Sequence, residues 1–146
     1  FANLARAMRP GGRLALLAWQ ALPQNEWLGV MRGAFAMGRE LPAPPVGLPG
    51  PFGLADAEQT RQVLTDAGFV AVEVEDVREP MWVGPDVDRA HAFASTTGPA
   101  QGMLEYLDDD QRAQALDNLR AALEAAAGPD GVELGTAAWL YTARKP

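Results

Sequence analysis

His91 is the single histidine in 146 residues, and there is no cysteine. Proton transfer and nucleophilic chemistry therefore have few carriers. A histidine titrates near neutrality and can serve as a general base toward an oxygen or nitrogen. Asp88 and Arg89 just before it describe a surface or lid-packing position equally well. One imidazole and no thiolate leave a transition metal without a ligand set. Asp108-Asp109-Asp110 suggests Mg²⁺, but carboxylates at the start of a periodic helix also act as caps and complement its dipole. No GxSxG, P-loop or paired-carboxylate pattern is present, and Gly47-Leu48-Pro49-Gly50 follows no strand. The more suggestive group is Trp19, Gln20, Asn25 and Trp27, which closes an apolar run. An indole and a carboxamide there can stack on and hydrogen-bond a small planar molecule. They can equally be a core residue and a backbone cap. Phe52, Trp82, Phe93, Met103 and Tyr106 are the other large side chains available to line a pocket.

The elements that would position these residues follow from periodicity. Phe1, Leu4, Ala5 and Met8 share one helical stripe, and Pro10 with Gly11-Gly12 forces a stop. Leu14–Trp19 is apolar without alternation, which predicts a strand covered on both faces. A helix is expected over 26–39, with Trp27, Val30, Met31, Ala34 and Phe35 inward, and a Pro/Gly-rich loop over 41–53. Asp56-Ala57-Glu58-Gln59 opens the next helix, with Gly68 as its left-handed terminus. Phe69–Val77 alternates as a half-buried edge strand, with Val70, Val72 and Val74 on one face. Residues 86–127 read as helical: a short helix after Asp86, a break at Ser95–Pro99, a piece around Met103–Leu107, then a long helix from Asp108. Thr136–Ala143 is a second strand apolar on both faces. The three strand patterns place the last strand between the other two, with the glutamate-bearing strand outermost.

Leu4-Ala5-Arg6-Ala7-Met8-Arg9-Pro10-Gly11-Gly12-Arg13-Leu14 resembles the segment before the fifth strand of class I S-adenosylmethionine-dependent methyltransferases. Trp19-Gln20, closing the strand, is similar to a bacterial small-molecule branch of that family. The resemblance implies an α/β fold, the C-terminal half of a Rossmann-like methyltransferase sheet. Three strands are implied, the last antiparallel between the other two, with a helical insertion. On this map 1–20 is a helix end and the first strand, and 21–68 holds helices and the Pro-rich loop. Residues 69–77 form the edge strand, 86–127 a helical lid, and 136–144 the final strand. Trp19, Gln20, Asn25, Trp27, Phe52 and Trp82 would face a small-molecule methyl acceptor, with His91 the weak candidate for a base. The family's glycine-rich loop and the acidic residue ending its second strand do not occur in this sequence. S-adenosylmethionine would accordingly be a cofactor of the complete protein and is not expected to bind this chain alone. The expected partner of the first strand is a missing N-terminal half or a second copy.

Composition sets outer bounds. The chain begins at Phe1 inside an apparent helix and reads as part of one longer domain, without internal repeat. The net charge of −7 argues against a phosphate backbone as partner. Residues 56–133 hold 17 of the 19 acidic residues, so the acidity belongs to the second half. No apolar run approaches the roughly 18 residues of a membrane span, and no signal peptide is evident. The lack of cysteine fits a cytoplasmic protein. The alternative to an enzyme is a non-catalytic module that binds a partner or ligand on a methyltransferase-like half fold.

Overall fold

The structure, a computed structural model, describes residues 1–146. In chain order it contains α1 (Ala2–Ala7), β1 (Arg13–Trp19), α2 (Glu26–Ala36), α3 (Ala57–Asp66), β2 (Val70–Val77) and β3 (Pro80–Gly84). There follow α4 (Val87–Thr96), α5 (Gly98–Leu104), α6 (Asp109–Ala125), β4 (Ala127–Gly128), β5 (Gly131–Gly135) and β6 (Ala138–Arg144). The class is α/β. Six strands form two three-stranded sheets, where one three-stranded sheet was expected, and every hydrogen-bonded pair is antiparallel. Contacts gather the chain into two compact units, each assembled from separated segments.

The first unit comprises residues 1–24, 44–78 and 137–146. Its sheet has the order β1-β6-β2, so the last strand lies between the other two and antiparallel to both, as the patterns predict. The strand register aligns Leu16, Tyr141 and Val74 across the sheet. Leu14, Leu16, Ala18, Val72 and Val74 pack with Tyr141 and Ala143 against Ala5 of α1, Leu64 of α3 and Phe69. This face is the core of the unit. The turn into β1 uses Gly11 in the left-handed region (φ 76°). It is zipped to the end of β6 by the Gly11 N–H to Lys145 carbonyl and Lys145 N–H to Gly12 carbonyl bonds, at 2.9 and 2.8 Å.

Two expectations for this sheet are corrected. β1 is not covered on both faces: Arg13, Ala15 and Leu17 are exposed, Leu17 by 62%. The cause is topological, because β1 has one neighbour and the helices pack on only one side of the sheet. In β2 the expected face of three valines is broken by a bulge between Val70 and Glu73, with Ala71 at φ 49°. The added residue flips the side chains before it. Val70 therefore pairs with Arg144 rather than Lys145 and is exposed.

The second unit comprises residues 25–43 and 79–136. α2 ends at Ala36, three residues short of expectation, because Met37 and Gly38 both turn left-handed (φ 50° and 74°). The Arg39 guanidinium then donates to the carbonyls of Phe35 and Ala36, at 3.1 Å each, closing the helix end. Ser95–Pro99 is a weaker break than expected: α5 starts at Gly98, with Pro99 in its first turn, where a missing N–H costs nothing. α6 begins with a reciprocal capping box between Asp108 and Gln111. β3, β5 and β4 make the second sheet, which the residue patterns do not predict. Two of its four glycines set close approaches. A Cβ on Gly84 would lie 2.7 Å from the Ala90 nitrogen, and one on Gly131 (φ 111°) 2.5 Å from the Gly84 carbonyl oxygen.

Candidate functional site

The six residues expected to meet a substrate divide between the units. Trp19, Gln20 and Phe52 belong to the first; Asn25, Trp27 and Trp82 belong to the second.

In the first unit, Trp19 ends β1 opposite Ala138. The small neighbour leaves space beside the indole. An open concavity of about 370 Å³ lies there, lined by Leu17, Trp19 and Ala138 together with Gly50 and Pro51 of the Pro-rich loop and Leu54 just after it. The loop is held by two donors from β6. The Tyr141 hydroxyl donates to the Leu54 carbonyl and the Trp139 indole to the Ala55 carbonyl, both at 2.8 Å. Burial pushes the Tyr141 hydroxyl above its ordinary pKa, so it stays a donor. Phe52 lies in the same loop but is buried at 1% exposure and does not line the concavity.

Gln20 is buried and fully engaged. Its Nε2 donates to Asp76 Oδ1 at 2.6 Å and to the Ala138 carbonyl at 3.2 Å, while its Oε1 accepts from Arg78 at 3.1 Å. Arg78 also donates through Nε to both Asp76 oxygens at 3.0 Å and through Nη1 to Gln24 at 3.1 Å. The Arg78 guanidinium holds the Asp76 carboxyl below the usual carboxylate range. Partial burial opposes this, and the Gln20 hydrogen bond reinforces it. With both amide hydrogens and the oxygen occupied, Gln20 joins strand ends rather than offering groups to a ligand. Asp76 and Arg78 are the polar residues that sequence reasoning missed. Their only signal was an acid and a base two residues apart at the end of an otherwise alternating strand.

No family model matches the chain, and no curated protein does.

In the second unit, Asn25 is buried and precedes α2, and its Oδ1 accepts from the Trp27 indole at 3.3 Å. Trp27 lines a small apolar cavity with Met31, Met81 and Phe93. Trp82 sits elsewhere: it is 55% exposed, and its indole donates to the Asp130 carbonyl at 3.2 Å. His91 Nε2 lies 3.0 Å from the Leu116 carbonyl oxygen. A carbonyl only accepts, so Nε2 carries the proton and pins α4 to α6. That contact suits the packing alternative for His91. The Asp108 carboxylate accepts the Gln111 N–H at 2.9 Å, which makes the acidic triplet a helix start. No group of three or more His, Cys, Asp or Glu side chains is placed to hold a metal ion, and no helix is long and apolar enough to cross a membrane.

Proposed function

We propose that this chain is the C-terminal half of a class I S-adenosylmethionine-dependent methyltransferase domain, with a Rossmann-like sheet in the complete protein, acting on a small molecule. The observation that carries the reading is the strand order β1-β6-β2 with β6 antiparallel to both neighbours. It coincides with the Arg9-Pro10-Gly11-Gly12-Arg13 turn leading into β1. The outer edge of β1 has no strand beside it, and Leu17 stands exposed on the face away from the helices. Both features suit a strand that a further segment completes.

In this reading the cofactor supplies a methyl group already activated as a sulfonium, ready for in-line displacement. No residue of this chain is assigned to holding it. The chain's own task is to receive and orient the acceptor. Trp19 offers an aromatic face in the concavity at the carboxyl end of β1, where open α/β sheets gather ligands. Gly50, Pro51 and Leu54 form the opposing wall. Gln20, Asp76 and Arg78 keep the floor in register without touching the acceptor.

Calorimetric titration with S-adenosylmethionine tests this. The chain alone should show no binding at micromolar concentrations, and the chain joined to its upstream coding sequence should bind. A folded, extended protein that still fails to bind would overturn the proposal. A second reading, a non-catalytic ligand-binding module, is favoured by the apolar cavity that lies wholly inside the second unit.

A further inference from the structure

The second unit contains a cavity of about 170 Å³ between α2, β3, α4, α6 and β5. Trp27, Met31, Met81, Val83, Phe93 and Leu123 are among the side chains on its wall, and no polar atom opens onto it. Thr97 also borders it, but its hydroxyl donates to the Ala94 carbonyl at 2.8 Å and meets the Met31 sulfur at 3.6 Å. A water molecule needs two to four polar partners, so this space excludes water. A charged ligand would be left without a counter-charge. An apolar cavity of about 150 Å³ accommodates one benzene ring. Two thioethers and two aromatic rings on the wall favour an aromatic occupant over an aliphatic one, through sulfur–ring and ring–ring contacts. Phe93 lines the cavity while 51% exposed, which puts its ring at the mouth.

We infer that the second unit carries a binding site for a neutral, single-ring aromatic molecule or for such a ring on a larger ligand. This rests on the second unit alone and stands or falls independently of the methyltransferase reading.

The test uses the full chain with its methionine methyl groups labelled for NMR, and toluene as the probe. Toluene should shift the Met31 and Met81 signals, leave Met8 and Met103 in place, and raise the thermal midpoint with increasing concentration. Benzoate, of similar size but charged, should do neither. Ala94→Leu fills part of the cavity and should weaken toluene binding at least tenfold. If that variant does not fold, the unmodified chain still decides the matter. Unmoved Met31 and Met81 signals at saturating toluene would overturn the inference. So would equal shifts at all methionines, or a response to benzoate matching that to toluene. Tighter folding of Ala94→Leu without any toluene response in the parent would identify the space as a packing defect.

Discussion

The Gln20 carboxamide donates to the Asp76 carboxylate across 2.6 Å, linking the ends of two strands that share no backbone hydrogen bond. β6 lies between them, and Gln20 also holds its Ala138 carbonyl. One side chain therefore clamps all three strands at the end of the sheet where a ligand is expected. Replacing Gln20 by Leu leaves Asp76 and the Ala138 carbonyl short of a donor. A loss of about 1–3 kcal/mol in urea unfolding is expected.

The same cluster sets a pH dependence. The Asp76 pKa is lowered in the folded chain, chiefly by Arg78, so folding favours its charged form. The resulting stability is complete above the unfolded value of about 3.9 and disappears as pH falls through the lower folded value. Asp76→Asn should differ from the parent by a constant amount at pH 5–8, with the gap shrinking below about pH 4. Urea midpoints measured across that range check it. A gap that widens toward acid would contradict the assignment.

Trp19 and Gln20 separate cleanly in the complete enzyme that the proposal requires. Trp19→Ala removes the aromatic face of the concavity and should raise KM for the acceptor at least tenfold with cofactor affinity retained. Gln20→Ala should instead lower the thermal midpoint while leaving KM near the parent value at temperatures where it remains folded. Steady-state kinetics beside thermal melts distinguish the two. Equal behaviour would make Trp19 a structural residue as well.

Much of the first unit was legible because its strands carry contrasting patterns. A continuous apolar run, an alternating run with glutamates and a second continuous run admit few arrangements. What misled was the inference from apolar residues to burial: Leu17 is a large apolar side chain on a face that no helix of its unit covers. The second sheet escaped notice for the opposite reason. β5 offers only Val132 and Leu134 between Gly131 and Gly135, which reads as the tail of a turn. Trp82 suggests a pocket residue by its size, whereas its indole serves a loop carbonyl. Gln20 reads as ligand contact or cap alike, because a sequence does not show which partners occupy a carboxamide.

Two glycines make a contrasting pair. Gly131 has φ 111° and no room for a methyl group, whereas Gly102 lies within α5 with open space around it. Gly131→Ala should destabilise the chain by more than about 1 kcal/mol. Gly102→Ala should stabilise it by roughly 0.5–1 kcal/mol, since alanine loses less freedom in a helix. Thermal and chemical unfolding of both variants give the sign directly.

Tyr141→Phe removes one of two hydroxyls at the Leu54 carbonyl, the other being that of Thr60 at 3.3 Å. The carbonyl keeps a partner, so the cost should stay near 0.5–1.5 kcal/mol. The Pro-rich loop should become easier to cut by protease near Gly50. A loss above about 3 kcal/mol would mean that the hydroxyl does more than hold that carbonyl.

The placement of β6 between β1 and β2 also governs how the chain can be made. Translation delivers β1 first and β2 some fifty residues later, yet neither can bond to the other. Both must wait, edges open, until residues 138–144 have emerged, while every segment of the second unit has already left the ribosome. The second unit can therefore fold during synthesis, whereas the first sheet closes only near the end of this sequence. Truncation before Ala138 should leave two orphan strands beside a folded neighbour, a form prone to aggregate and a natural substrate for chaperones.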